Sequence, residues 1–353
     1  MMDEVVDRIE DGEPAGSGLP GPGGKLEART LDLLSVVAPM HDEEGLVEAF
    51  HRRVCDALAG VPFELVVVND ASLDRTGEIL DRIASTDPRV RVLHLSRNFG
   101  HQAALTAGLE HARGDAVVMM DGDLQDPPEL IPAMLEHWRN GSEVVFGVRR
   151  ERVGEGRFKK ASARWFYRLF GRLTPLDLQE NAGDFRLLGR QALEALLSMP
   201  ERNRFLRGMT VWIGFTQTAV PYDRDPRHAG ETKYTLRRML RFSLDAISSF
   251  SWLPLQIATL LGFACSLVAF LGLPLVVAAR VAGIYVPGVS SILFVVLLLG
   301  GIQLITVGII GEYVGRIYDE VKRRPLYVVR ERRNMPDPDA ADELPGERLS
   351  TGP

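Results

Sequence analysis

The sequence predicts an α/β domain with a mainly parallel sheet, followed by two membrane-spanning helices. From Leu33 onward, short apolar runs alternate with helical patterns, which is typical of a parallel sheet with helices on both faces. No charged side chain occurs at residues 246–279 or 281–311, and each stretch exceeds the roughly 20 residues that a helix needs to cross a bilayer. Five strands are predicted, at residues 34–38, 64–68, 90–95, 116–120 and 144–147.

The connections between these strands show where each strand ends and each helix begins. Pro39 ends the first strand because proline lacks a backbone donor, and the acidic residues 42–44 favour a following helix through its positive N-terminal end. The second strand is closed by Asn69-Asp70, and a helix is predicted from there through about Ala84. Another helix is predicted through residues 103–112, directly before the fourth strand.

The net charge of −6 hides a mildly basic folded region. Residues 1–24 hold six acids and one base, and residues 335–353 hold five acids and one base, which leaves a net charge of +3 for the rest. This pattern suits a membrane surface or a phosphorylated substrate better than nucleic acid. Cys55 lies in a soluble segment and Cys265 in an apolar one, so we expect no disulfide between them and a domain that faces the cytosol.

Basic residues flank the two apolar stretches on their outer sides. Arginines at 237, 238 and 241 precede the first stretch, Arg316 and residues 322–324 follow the second, and the loop between them carries only Arg280. The positive-inside rule then predicts a multi-pass protein of the inner (plasma) membrane with both termini in the cytoplasm; the alternative is a hairpin buried in a soluble protein. The predicted divisions are disordered tails at 1–30 and 331–353, an α/β domain at 31–235, an interfacial amphipathic segment at 236–252, transmembrane helices at 253–280 and 289–313, and a cytoplasmic segment at 314–330 that returns to the α/β domain.

Two carboxylates follow the fourth predicted strand, in the segment Asp121-Gly122-Asp123. Residues i and i+2 of an extended segment point the same way, so both side chains can face one ion. Carboxylate oxygens suit Mg²⁺ or Mn²⁺, which in turn hold phosphate oxygens. The alternative is a pair of solvated loop aspartates, since D-x-D arises often by chance.

Other strand ends carry further candidate residues at the same edge of the sheet. Pro39, Glu43 and Asp70 follow the first and second strands, and ligands of open α/β sheets bind outside the carboxyl ends of the strands. Together with Asp121 and Asp123, this series favours a site for a nucleotide and a metal ion.

The region from Arg149 to Arg172 is rich in Arg and Lys, interleaved with aromatic side chains. One interpretation is an amphipathic helix with a solvated basic face. The other is a helix near a membrane, whose bases are available for phosphate.

Six short motifs follow one another within residues 31–330. They are Ser35-Val36-Val37-Ala38-Pro39 with Glu43-Glu44, Val68-Asn69-Asp70-Ala71-Ser72 with Asp74-Arg75-Thr76, Arg97-Asn98-Phe99-Gly100, Asp121-Gly122-Asp123-Leu124-Gln125 with Pro127-Pro128-Glu129, Gly183-Asp184-Phe185-Arg186-Leu187, and Gly230-Glu231-Thr232-Lys233-Tyr234. In this order they resemble the family 2 glycosyltransferases of GT-A fold, and more narrowly the polyprenyl-phosphate (dolichol-phosphate-type) enzymes with two C-terminal transmembrane helices. Two departures are visible, since Asp42 stands where Asn is more usual and Ala71 where Gly is more usual.

The resemblance implies a role for each matching residue. Asp184 is the candidate base, and Asp123 is counted with it as catalytic. Pro39, Glu43, Asp70 and Asp121 are implied to bind the nucleotide sugar; Asp121, Asp123 and Gln125 the Mg²⁺ or Mn²⁺ ion; and Arg149, Lys160, Arg186, Arg204, Arg207 and Lys233 the lipid phosphate.

The activity implied by the resemblance is inverting transfer of a sugar from a nucleotide sugar to a polyprenyl phosphate of undecaprenyl type, at the cytoplasmic membrane face. A UDP-sugar is favoured over GDP-mannose, and the sugar itself is left open. Glycines in the apolar stretches would allow close packing of copies into a homo-oligomer. The alternatives are a processive polysaccharide synthase, although no Q-x-x-R-W motif occurs, and a non-catalytic membrane scaffold that binds nucleotide sugars.

Overall fold

The computed structural model describes residues 29–150, 182–223, 253–283 and 288–335. Within these ranges an eight-stranded sheet carries helices on both faces, and two long helices follow it in the chain. Lys160, Lys233, the predicted basic helix after residue 150 and the predicted interfacial segment lie outside the described residues.

The sheet is mixed, with a parallel centre, which confirms the predicted α/β class with a mainly parallel sheet. The strands are β1 Leu34–Met40, β2 Phe63–Asn69, β3 Val90–Leu95, β4 Ala116–Met119, β5 Val144–Arg149, β6 Ala182–Gly189, β7 Gln217–Tyr222 and β8 Val329–Arg333. Their spatial order is β7-β5-β6-β4-β1-β2-β3-β8. Strands β4, β1, β2 and β3 run parallel to one another, and β7 runs parallel to β5. Strand β6 runs antiparallel to both β4 and β5, and β8 runs antiparallel to β3.

Alternate residues of the central strands supply the cores on the two faces of the sheet. In β1, Val36 packs into one apolar cluster and Val37 into the other, because successive side chains of a strand point to opposite faces. Both faces are covered, so the central strands are apolar throughout rather than alternating with polar residues. The helices are α1 Val47–Ala57, α2 Thr76–Thr86, α3 His101–Glu110, α4 Ile131–Arg139, α5 Arg190–Ser198, α6 Leu206–Trp212, α7 Leu253–Val281 and α8 Val289–Lys322.

Helices α7 and α8 match the two predicted apolar spans and pack against each other. Apolar side chains such as Phe263, Phe270 and Leu304 are more than 70% exposed. Among the described residues, one segment is long and apolar enough to cross a membrane, Leu298–Lys322, and Ala258–Gly272 is a shorter apolar segment. A membrane-associated chain is therefore supported, whereas the second span stays a prediction.

The predicted disordered tail from residue 331 is wrong at its start, because β8 extends through Arg333. This strand pairs with β3, and the Ser96 amide donates to the Val328 carbonyl oxygen at 2.9 Å. The side-chain amide of Asn334 then donates to the carbonyl oxygens of Ala84 and Val90 at 2.6 and 2.8 Å. The segment after α8 is thus built into the α/β domain rather than trailing from it.

Removal of β8 tests this correction. Deleting residues 327–353 removes the backbone hydrogen bonds between β8 and β3 and the hydrogen bonds of Asn334. Each such hydrogen bond contributes a net ~1 kcal/mol to stability. We expect the free energy of unfolding to fall by about 2 kcal/mol or more, measured as a lower Tm of the purified protein.

The matched control deletes only residues 336–353, which lie after the strand, and is expected to keep the Tm of the full chain. Equal Tm values for the two truncations would contradict a structural role for β8.

Candidate functional site

A cavity of about 340 Å³ opens at the carboxyl ends of β1, β2 and β4. Five of the six residues predicted to bind the nucleotide sugar or the metal line this cavity, because parallel strands deliver their carboxyl ends to one edge of the sheet. The sixth, Gln125, is not among the lining residues. The structure adds His41, Asn98 and His101, which sequence reasoning missed. The lining residues are Pro39, Met40, His41, Glu43, Asp70, Asn98, Gly100, His101, Ala104, Asp121, Gly122 and Asp123.

The carboxylate pair is placed by the end of β4. Gly122 lies against β1, and a Cβ at this position would come within 2.8 Å of the Met40 side chain, so glycine allows the close approach of the two chains. The Gln125 amide donates to Asp123 Oδ1 at 3.0 Å, and Leu124 adopts a φ of +59°. The D-x-D segment therefore forms a tight turn at the wall of the cavity.

Asp184 reaches the same place from β6, the antiparallel neighbour of β4. Gln102 Nε2 donates to Asp184 Oδ2 at 3.2 Å, and Arg207 donates to Oδ1 at 3.4 Å. His101 Nε2 lies 3.5 Å from Asp184 Oδ2. Burial opposes ionisation of this carboxyl, but His101, Arg207 and Arg186 outweigh it and hold the pKa of Asp184 well below its usual range.

His101 joins the two carboxylate groups. Its Nε2 is also 3.5 Å from Asp121 Oδ1. Burial alone would lower the pKa of His101, but Asp184, Asp121 and Asp123 raise it to about 9. The imidazolium therefore supplies positive charge among the acids of the cavity. Its only sequence signal is its place directly after Arg97-Asn98-Phe99-Gly100, at the start of α3.

The donor set at the D-x-D turn fits a hard divalent cation. Burial and the nearby carboxylates of Asp184, Asp126 and Asp123 raise the pKa of Asp121 to about 6, against the opposing effect of His101. Gln125 Oε1 is buried and has no hydrogen-bond partner among the residues that the structure describes. Clustered oxygen ligands that repel one another, with a spare amide oxygen beside them, are the kind that Mg²⁺ and Mn²⁺ bind.

Asp70, which follows β2, holds the loop between β3 and α3 through its buried carboxylate. Asp70 Oδ1 accepts a hydrogen bond from the Phe99 backbone amide at 2.7 Å, and Oδ2 accepts one from the Gly100 backbone amide at 2.9 Å.

The two positions that depart from the family pattern, Asp42 and Ala71, have φ values of +56° and +53°. Asn and Gly tolerate this left-handed conformation best, which explains why they are the more usual residues.

Arg149 belongs to a network at the rim of the site. Its Nε donates to the Tyr222 hydroxyl at 3.1 Å, one of its terminal nitrogens lies 3.6 Å from Asp126 Oδ1, and Tyr222 donates to the same oxygen. A Cβ on Gly183 would come within 3.0 Å of the Arg149 guanidinium. Arg149 thus lies beside the residue that precedes Asp184 and keeps partial exposure, so phosphate binding by Arg149 stays a prediction.

Two arginines that were predicted to bind phosphate instead form hydrogen bonds to other groups of the protein. Arg186 is 2% exposed, stacks over Phe146 and donates to Thr210 and to the Gly183 carbonyl oxygen. The prediction that Arg186 contacts a lipid phosphate is wrong for this structure, because its guanidinium is enclosed. Arg204 donates to the carbonyl oxygens of Met199 and Glu201, which indicates a structural role, whereas Arg207 contacts Asp184.

Comparison with known proteins gives matches over most of the chain. The family model described as "Glycosyl transferase family 2" matches residues 35–197 of this chain. The uncharacterized glycosyltransferase YkcC of Bacillus subtilis is 46% identical, over 84% of this chain and 93% of its own length. The prophage bactoprenol glucosyl transferase homolog of Escherichia coli is 41% identical over 84% and 98%, and the bactoprenol glucosyl transferase of Shigella phage SfII is 41% identical over 84% and 97%.

Solved structures resemble the chain more weakly. A glucosyl-3-phosphoglycerate synthase from Mycobacterium tuberculosis, in complex with Mn²⁺, UDP-glucose and phosphoglyceric acid, is 21% identical with a TM-score of 0.42, over 69% of this chain and 86% of its own.

Proposed function

Because this chain belongs to glycosyl transferase family 2 and is a glycosyltransferase, we propose that it transfers a sugar from a nucleoside-diphosphate sugar to a polyprenyl phosphate at the cytoplasmic face of the membrane. The observation that carries this proposal is the convergence of Asp121, Asp123 and Asp184 with His101 and Arg207 at one edge of the sheet. Relatives named bactoprenol glucosyl transferases, which align over 84% of this chain, support a polyprenyl acceptor.

The donor would occupy the cavity at the carboxyl ends of β1, β2 and β4. Asp121, Asp123 and Gln125 would hold a Mg²⁺ or Mn²⁺ ion, and when bound the cation would stabilise the charge that develops on the leaving diphosphate. Pro39, Glu43 and Asp70 line the part of the cavity that lies toward β1 and β2, where the base and ribose would lie. We favour UDP over GDP as the nucleotide.

The negative charge of the acceptor phosphate would have to be neutralised by the protein, whereas a general base to deprotonate it is not required. A phosphate monoester has a second pKa near ~6, so the nucleophile is already largely ionised at neutral pH. Asp184, whose pKa is held low by His101 and Arg207, is a poor proton acceptor and would orient groups at the reaction centre instead. Arg207 and Arg149 would offset the negative charge of the acceptor, and attack opposite the leaving diphosphate would invert the anomeric centre.

We propose that α7 and α8 form a transmembrane hairpin in the inner membrane, with the catalytic domain in the cytoplasm. The end of α8 is tied to the catalytic domain, because the Arg202 amide donates to Glu320 at 2.8 Å and the Arg202 side chain donates to the Arg324 carbonyl oxygen. Arg202 lies four residues before α6, which carries Arg207. These contacts would hold the catalytic cavity at a fixed position relative to the bilayer, where the prenyl chain of the acceptor stays.

A product assay tests the proposal directly. Purified protein is incubated with undecaprenyl phosphate, Mg²⁺ or Mn²⁺ and a panel of labelled UDP- and GDP-sugars, and label that moves into the lipid fraction is measured. We expect one donor, a UDP-sugar, to give a glycolipid. The Asp123→Asn variant should transfer the sugar roughly a hundredfold more slowly or worse, since removing one group that stabilises developing charge lowers kcat by about that factor.

Asp56→Asn, a change at an exposed position of α1, is the matched control and is expected to transfer at the rate of the unaltered chain. Failure of every donor to label the lipid would indicate a non-catalytic scaffold. Transfer by Asp123→Asn at an undiminished rate would remove Asp123 from the metal site.

Gln102 is predicted to act through Asp184. Its Oε1 accepts the Leu206 amide at 3.0 Å, which leaves Nε2 directed at Asp184. Gln102→Glu replaces this donor by a like charge and should lower kcat by roughly tenfold, because a hydrogen bond to a charged group contributes about 1.5–3 kcal/mol. Steady-state kinetics should show a much smaller change in the KM for the nucleotide sugar.

Gln191→Glu makes the same chemical change at an exposed position of α5 and should keep both constants. An unchanged kcat in Gln102→Glu would show that Asp184 does not depend on Gln102, and an equal change in kcat and KM would indicate general disruption of the cavity.

A further inference from the structure

A second group of metal-binding side chains lies away from the catalytic cavity. It consists of His51 and Cys55 on α1 and of Asp87, which directly follows α2. His51 Nε2 lies 3.4 Å from Cys55 Sγ and 3.0 Å from Asp87 Oδ2. All three candidate ligand atoms are within 4.8 Å of one another.

These separations are close to those around a tetrahedral zinc ion. With Zn–N and Zn–O bonds of about 2.0 Å and a Zn–S bond of about 2.3 Å, the nitrogen and sulfur ligands are about 3.5 Å apart and the nitrogen and oxygen ligands about 3.3 Å apart. The three atoms therefore need only small rearrangement to surround one ion.

The ligands are held in place by the fold. His51 and Cys55 are four residues apart on α1 and so lie on one face of the helix. The Asp87 carboxylate is fixed through Oδ1, which accepts the Arg89 amide at 3.0 Å. Its other oxygen, Oδ2, is the one near His51. An ion here would join α1 to the connection between α2 and β3.

Arg89 is the cation that these groups hold in the structure. Its guanidinium lies 2.8 Å from Asp87 Oδ2 and 3.5 Å from Cys55 Sγ, and it stacks over the Phe63 ring at 4.7 Å. A metal ion would have to displace it. The side chain is 49% exposed, so it can move into solvent when an ion binds.

We propose that His51, Cys55 and Asp87 form a binding site for a thiophilic divalent cation such as Zn²⁺, with a fourth position open to water. Thiolate and imidazole ligands select such ions over Mg²⁺. Asp87 precedes β3 whereas Asp121 follows β4, and these strands run in the same direction. The two metal sites therefore lie at opposite edges of the sheet, and this one is separate from the site of sugar transfer.

Cobalt spectroscopy on the purified full-length protein tests the site without reference to activity. Co²⁺ bound by a thiolate gives a sulfur-to-metal charge-transfer band, whereas Co²⁺ at the oxygen ligands of the catalytic cavity does not. We expect a saturable band that Zn²⁺ abolishes by competition. Cys55→Ser should lose the band, and Cys265→Ser, which removes the other cysteine, should keep it.

Two further variants test the remaining groups. Asp87→Asn should weaken Co²⁺ binding, and Arg89→Ala should tighten it by roughly tenfold, since it removes a positive charge about 4 Å from the ion. Absence of a band in the unaltered protein, or a band that persists in Cys55→Ser, would overturn the proposal. Weaker binding in Arg89→Ala would overturn the assigned ligand arrangement.

Discussion

Mutual repulsion among carboxylates at one edge of the sheet is the constraint on which the rest of the site depends. Asp121 and Asp123 follow β4, and Asp184 enters from β6. Burial and the neighbouring carboxylates raise the pKa of Asp121, so acids placed this close together need positive charge beside them. The protein supplies part of that charge through His101 and Arg207, and a divalent cation bound to a diphosphate would supply more.

Several elements distant in the chain meet to build this edge. Parallel β1, β2 and β4 bring their carboxyl ends together, and the antiparallel β6 adds Asp184 from a later part of the chain. Helix α3 contributes His101 and Gln102 from its first turn, and α6 contributes Arg207. The segment after α8 returns to β3 as β8, which links the apolar helices to the same sheet.

The sequence was sufficient to predict the parts of the site that follow from local pattern. An apolar strand followed by Asp121-Gly122-Asp123 predicts where the two carboxylates lie, because strand ends in a parallel sheet share one edge. The extended course expected for this segment is not observed, since the chain turns at residues 122–124. Five of the six residues predicted for the nucleotide sugar and the metal line one cavity, whereas Gln125 is not among its lining residues. Strand β8 was missed since Val329–Arg333 is mostly charged and reads as a solvated segment, although charged side chains are common on edge strands.

Arg186 and His101 show why contacts between residues distant in the chain could not be predicted from the sequence. The family resemblance implied that Arg186 binds the lipid phosphate, but strand alternation and the packing of α6 enclose its side chain against Phe146 and Thr210. His101 carried no charge pattern of its own, and its role appears only when α3 places it between Asp121 and Asp184.

Binding of nucleotides with and without Mg²⁺ tests most directly whether this edge clamps a diphosphate. Calorimetric titration of the purified protein would compare UDP with UMP, which lacks the second phosphate. Mg²⁺ is predicted to strengthen UDP binding by roughly tenfold or more and to leave UMP binding nearly unchanged, because Asp121, Asp123 and Gln125 would hold the cation and its charge would stabilise a bound diphosphate. Equal effects of Mg²⁺ on both nucleotides, or no effect on UDP, would contradict the account.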